Sequence, residues 1–186
     1  MKGTTEDDLA KDGAIPGRFR GSLRTVLGRF ATGVTVVTTL DESSRCVGLT
    51  VNSFCSVSLD PPVVLWCLAR QSRALSAFES SYHYAIHVLG EDQAHLSRHF
   101  SAVREDKFTG IPLDISVYRV PLLKDYLSRF ICRKEASMEF GDHVIYKGLI
   151  VESSRRVGRP LLFYDGQYER ASDLALEGSR AGDEQW

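Results

Sequence analysis

Residues 48–68, GLTVNSFCSVSLDPPVVLWCL, decide how this chain folds. Read at period two, Leu49, Val51, Cys55, Val57 and Leu59 fall on one face, with Ser53 as the only hydroxyl among them. Thr50, Asn52, Phe54, Ser56 and Ser58 fall on the other. That alternation predicts one half-buried strand over 46–59. Asp60-Pro61-Pro62 ends it, because proline supplies no ladder donor and biases the preceding residue towards extended geometry. Residues 63–68, VVLWCL, form a continuous apolar run short enough for a buried strand. The polar face carries short hydroxyls, an amide and a phenyl ring where a solvent face usually carries Lys and Glu. Such groups suit a place where backbone and small side chains approach a ligand. They also suit a Thr/Ser-rich strand facing water, and the pattern by itself leaves both readings open.

Working outward, the 186 residues predict one domain, and 43% hydrophobic content is enough to bury a sizeable core. The 23 basic and 24 acidic residues nearly cancel. Without a basic excess there is no electrostatic footprint for nucleic acid or for an anionic membrane surface. No apolar run approaches the ~20 residues of a membrane span. Glu6, Asp7 and Asp8 occupy the place where a signal peptide needs an apolar core, so a soluble cytoplasmic protein is expected. Cys46, Cys55, Cys67 and Cys132 lie far apart with no C-x-x-C pair, which predicts free thiols and no zinc or disulfide framework.

Residues 1–17 mix charges, Gly and Pro without periodicity and read as a mobile tail ahead of a domain over 18–170. Residues 18–31 are helical by pattern: Phe19, Leu23, Val26, Leu27 and Phe30 form one apolar stripe. Residues 34–39, VTVVTT, are a β-branched strand expected to pair with the 46–59 strand as a hairpin. A helix over 72–79 is predicted with Ser72 as N-cap. Its start, with Arg73 beside it, can either hold a phosphate or simply be capped. A strand over 84–89 contains His87, and a helix over 91–100 places Leu96 and Phe100 inwards. His95 and His99 are four apart, but Leu96 stands where a zinc protease needs Glu and no third ligand is apparent, so no metal site is expected. Residues 103–120 read as a functional or mobile loop. Strands over 130–140 and 144–152 flank the turn Gly141-Asp142-His143, and Asp165-Gly166 marks a hairpin between 161–164 and 167–168. Residues 171–186 read as a second tail. With at least six strands and few helices, an all-β barrel is expected. There is no G-x-G-x-x-G, P-loop or G-x-S-x-G motif, which disfavours a Rossmann site, a nucleotide hydrolase and a serine hydrolase.

These segments, taken together, resemble a known family. GVTVVTT at 33–39, GLTVNSF with SVSLDPP at 48–62, AIHVL at 85–89, QAHLSRHF at 93–100, GDHVIYKG at 141–148 and PLLFYDGQY at 160–168 occur in the order and approximate spacing of the short flavin reductases. The resemblance runs from about residue 19 to 168. It implies an FMN-binding split β-barrel, mainly β with a few peripheral helices, and a homodimer. It also implies reduction of FMN or FAD by NADH or NADPH, with reduced flavin diffusing to a partner monooxygenase component. Flavin contacts then fall on Thr50, Val51, Asn52, Ser53, Phe54, Ser56 and Ser72. Nicotinamide contacts fall on His143 and Tyr168. One departure is His87, where the family commonly has Asn: it either alters flavin preference or is a tolerated change against the barrel wall.

In such a reductase no protein acid or base is catalytic, because hydride passes between cofactors and the protein stacks the rings at roughly 3–3.5 Å. Two alternatives share the barrel or its ligand: an oxidase of the pyridoxamine phosphate type, and a flavin- or haem-binding module without turnover.

Overall fold

A computed structural model describes residues 23–170. The tails predicted at 1–17 and 171–186 lie outside them. The β-branched run becomes β2 (Thr35–Leu40), flanked by β1 (Thr32–Gly33). Next come β3 (Cys46–Val51), β4 (Cys55–Leu59) and β5 (Pro62–Ala69), then helix α1 (Leu75–Ser80) and β6 (His83–Val88). Helix α2 (Ala94–Ser101), a small hairpin of β7 (Leu113–Ile115) and β8 (Pro121–Leu123), and the long pair β9 (Ser128–Phe140) and β10 (His143–Arg155) follow. The chain ends in β11 (Leu161–Tyr164) and β12 (Gln167–Arg170).

The main sheet has seven strands in the order β3-β2-β6-β9-β10-β5-β4. All its pairs are antiparallel. The order contains its own closure. β3 and β4 stand at opposite edges, yet only Asn52, Ser53 and Phe54 separate them in sequence. So short a link forces the sheet to curl until its edges approach. Ser53 pins the seam: its hydroxyl accepts the Cys67 N–H (2.9 Å) and donates to the Cys67 carbonyl (3.2 Å). One side chain thereby stands in for a ladder pair between the end of β3 and β5. The single strand expected over 46–59 is therefore two, and the hydroxyl on its apolar face is the residue that joins the barrel edges.

Alternation sorts β5 into an inner row, Val64, Trp66 and Leu68, and an outer row, Leu65, Cys67 and Ala69. Trp66 stacks on Tyr146 (ring centroids 4.8 Å) and meets Phe78 and Tyr84 edge-on, which fills the barrel interior. Gly148 is required there, since a Cβ would fall 2.0 Å from the Tyr84 hydroxyl. A second apolar layer, with Val34, Val36, Leu89 and Leu123, lies under Leu96 and Phe100 of α2. The β7–β8 hairpin covers a third, around Ala85 and Ile131.

Several expectations change here. Helix α1 is shorter than predicted, and Ser72 is not its cap: the Ser72 hydroxyl accepts the Ala74 N–H (3.2 Å) and forms a turn ahead of the helix. The segment at 103–120 is anchored rather than mobile. The Lys107 ammonium donates to Phe100 O (2.7 Å) and Gly48 O (3.3 Å), and Phe108 packs edge-on against Phe100. His99 adds to this anchoring: it is half-buried and its Nε2–H donates to the Lys107 carbonyl (2.7 Å). In the first helix, residues 23–27 are helical and Leu23 is half-buried, but Val26 (67%), Leu27 (64%) and Phe30 (79%) are exposed; Phe19 lies outside the described residues. The 34–39 strand does pair with 46–51 as expected, and Asp165 and Gly166 both have positive φ (48° and 83°), as the hairpin turn requires.

Candidate functional site

The end of β5 gathers three of the segments picked out by sequence. Ser53 is bonded to Cys67. Two residues on, Ala69 pairs with His143 of β10. The Ala69 carbonyl accepts the Ser72 N–H (2.9 Å), and the Arg70 N–H donates to Asp142 O (2.9 Å). The β3–β4 link, the Ser72 turn and the β9–β10 turn therefore surround one strip of sheet. Its outer face carries Leu65, Cys67 and Ala69 of β5 beside Ile145 of β10, all half-buried.

Individual side chains divide into two groups. Thr50, Ser53 and Ser72 already have protein partners. The Thr50 hydroxyl donates to Ser97 O (2.7 Å) on α2, and Ser53 and Ser72 are bonded as described. Val51 packs on the core and its carbonyl accepts the Thr35 hydroxyl (3.0 Å), while Phe54 stacks on Phe130 (5.7 Å, 11° between planes). Asn52 and Ser56 differ: both are exposed, and neither side chain makes a hydrogen bond among the described residues.

His143 opens β10 two residues after Gly141, whose φ of 56° makes the turn. Its Nδ1–H donates to Asp142 Oδ1 (2.8 Å), which orients the ring and leaves Nε2 without a partner among the described residues. The imidazole is half exposed. Arg70, next to Ala69 in the chain, pairs with Glu139 (3.3 Å) of β9. Tyr168 lies elsewhere, on β12 against α2. Its hydroxyl is 2.7 Å from Ser97 Oγ, the Arg98 guanidinium lies over its ring (5.1 Å), and Phe163 meets it edge-on. No contact links Tyr168 to His143, but Ser97 joins Tyr168 to Thr50. Ser97 was missed in the sequence. The available signal was Gln93 and Ser97 at i, i+4 spacing, three residues before Phe100: two polar residues in line with an inward aromatic.

His87 is wholly buried, with Nδ1–H donating to Val36 O (3.1 Å) and Nε2 accepting the Leu123 N–H (3.1 Å). It joins β2 to β8 and faces the barrel wall. Among the described residues there is no cluster of three metal-ligating side chains, and no helix is long and apolar enough to cross a membrane.

A closed antiparallel barrel whose strand ends converge on such a strip is the architecture of flavin reductases. The chain belongs to the flavin reductase like family, whose domain model matches residues 27–172. It is 44% identical over 151 residues to the FMN reductase (NADH) SmoA of Agrobacterium fabrum, covering 81% of this chain and 86% of that one. It is 39% identical over 166 residues to HsaB of Rhodococcus jostii, the reductase subunit of a flavin-dependent monooxygenase, covering 89% and 83%. Among solved structures, the NADH:FAD oxidoreductase SgcE6 of Streptomyces globisporus, in complex with NAD and FAD fragments, superposes with a TM-score of 0.80 at 31% identity, covering 88% of this chain and 99% of that one. Nitrilotriacetate monooxygenase component B from Mycobacterium thermoresistibile superposes equally well (TM-score 0.80, 35% identity, covering 92% and 94%). The chain is thus an NAD(P)H-dependent flavin oxidoreductase, and one of the relatives above is the reductase subunit of a flavin-dependent monooxygenase.

Proposed function

We propose that the strip beside the β3–β4 link is the flavin site and that this chain reduces FMN or FAD there for release to a separate oxygenase component. The observation that carries this reading is the convergence of the 50–56, 72 and 142–143 segments on the end of β5. The residues present fit a flavin. Cys67, Ala69 and Ile145 offer a half-buried apolar floor, and Asn52 and Ser56 offer polar groups with no partner among the described residues. When bound, the flavin supplies the chemistry by accepting a hydride from the reduced nicotinamide. In this reading the 50–56 segment and Ser72 bind flavin, part of them through backbone groups. His143 and Tyr168 bind the nicotinamide cofactor. The test is a mixture of protein, NADH or NADPH, and excess FMN or FAD, followed by nicotinamide absorbance. Turnover that depends on added flavin supports the reading, and tight flavin without NAD(P)H oxidation overturns it.

The site also sorts its own mutations. Asn52→Ala and Ser56→Ala remove polar groups that nothing else in the described fold uses. At about 0.5–1.5 kcal/mol per lost hydrogen bond, flavin affinity should fall ~2- to 13-fold for each, with little change in melting temperature. Titration of flavin fluorescence checks this, and unchanged affinity in both variants returns the segment to a plain solvated edge. Ser53→Ala should differ by lowering stability, because it opens the barrel seam.

We further propose a cytoplasmic homodimer. Val26 and Leu27 of the first helix, Phe30 in the bend after it, and Val57 and Leu59 on the edge strand β4 are exposed apolar side chains of the kind a second copy covers. Light scattering at micromolar protein should give twice the chain mass of 20.8 kDa. A monomer mass contradicts this assembly.

A further inference from the structure

We propose that Ser97 is a positioning residue that makes Tyr168 a hydrogen-bond donor to the nicotinamide cofactor. The inference rests on the reading above that Tyr168 binds that cofactor. Ser97 is fully buried in the middle of α2. Its hydroxyl has one partner among the described residues, the Tyr168 hydroxyl at 2.7 Å. A buried hydroxyl proton without an acceptor forfeits its hydration for nothing, so the Ser97 proton goes to Tyr168 Oη. The Tyr168 proton must then point away from Ser97. Tyr168 is half-buried and has no second hydrogen bond among the described residues, so that proton faces outward and meets an acceptor on a ligand. A carboxamide or phosphate oxygen of the nicotinamide cofactor is such an acceptor.

The surroundings hold the arrangement on both sides. The Arg98 guanidinium above the ring (5.1 Å) and the Phe163 edge (5.6 Å) fix the plane of Tyr168. The Thr50 hydroxyl donates to the Ser97 carbonyl (2.7 Å), which ties this turn of α2 to the strand assigned to flavin. Ser97 is therefore the hub between the flavin strand and the residue on β12, and it acts on the cofactor only through Tyr168.

The test is steady-state NADH oxidation at saturating FMN for wild type, Ser97→Ala, Tyr168→Phe and the double variant, with flavin affinity measured separately. Ser97→Ala should raise KM for NADH roughly 2- to 13-fold, the span of one neutral hydrogen bond, with kcat and flavin affinity within about 2-fold. The double variant should be no worse than Tyr168→Phe, because both changes break one unit. An unchanged KM in Ser97→Ala beside a raised KM in Tyr168→Phe overturns the role of Ser97 and leaves the assignment of Tyr168 standing. An unchanged KM in Tyr168→Phe overturns that assignment and this proposal with it. Additive effects, or an equal fall in kcat and flavin affinity, mark Ser97 as structural only. Should Ser97→Ala fail to fold by circular dichroism, the near-isosteric Ser97→Cys takes its place under the same criteria.

Discussion

Replacing His143 with alanine is expected to lower kcat/KM for NADH or NADPH by roughly 5- to 150-fold, the equivalent of about 1–3 kcal/mol. Flavin affinity should barely change. The geometry explains the split. His143 lies on the turn beside Ala69, and Asp142 takes its Nδ1 proton at 2.8 Å. Nε2 is left at a half-exposed position, where it can meet the carboxamide or a phosphate of the nicotinamide cofactor. Hydride transfer between two cofactors leaves no proton for His143 to remove, so the role assigned to it is orientation. A rise in KM alone would mark ground-state binding, and a fall in kcat as well would mark an interaction that strengthens in the transition state. Asp142→Asn should act in the same direction by a smaller factor. It keeps the main-chain carbonyl that accepts the Arg70 N–H, and loses the charge that holds the tautomer. Steady-state rates at saturating flavin for the wild type and both variants decide the matter. Wild-type kcat/KM in His143→Ala for both nicotinamide cofactors would make His143 a plain turn residue.

Local chemistry was legible in the sequence wherever one element decided it. β2 could be read from its β-branched run, the β11–β12 turn from Asp165-Gly166, and β9 and β10 from the length of their patterns on either side of Gly141. The 46–59 segment misled because its alternation continues through Asn52, Ser53 and Phe54. The period of side chains does not record that the chain has changed sheet edge, and that change is set by closure of the whole barrel. Ser53 looked like a defect on an apolar face and is the residue that joins the seam. Ser72 looked like a cap because a hydroxyl before an apolar run usually is one. The helix starts two residues later than a cap at Ser72 requires, and the hydroxyl closes a local turn instead.

The candidate site was legible only as a set of segments matched to a family. What the sequence could not reveal was which of its side chains are spoken for. Thr50 and Asn52 look equivalent on the page, two polar residues on one face. In the fold, Thr50 is bonded to α2 and Asn52 has no partner among the described residues. Ser97 escaped notice for the converse reason, since its partners come from β3 and β12, 47 and 71 residues away in the chain.

His87 should make the protein sensitive to acid, and this is the largest stability effect expected. Burial pushes its imidazole down to about 3, and the neighbouring Arg129 charge pushes the same way. Both ring nitrogens already serve the backbone, one as a donor and one as an acceptor. Protonation would set a second N–H against the Leu123 N–H inside the core. In the unfolded chain the same ring titrates near ~6.5. Between those values the unfolded state binds a proton that the native state refuses. Stability therefore falls as pH drops below 6.5, by up to ~1.4 kcal/mol per pH unit. Asp41 and Asp106 are lowered by hydrogen bonds, so they add their own loss further down the acid range. His87→Asn removes the titration and keeps an amide donor and acceptor at the seam between β2 and β8. It should cost about 1–3 kcal/mol at pH 7.5, where one of the two backbone bonds is lost. It should then lose less stability than wild type between pH 6.5 and 4. Urea unfolding midpoints across that range, for both proteins, measure the difference, and parallel curves would mean that the buried ring is not what acid attacks.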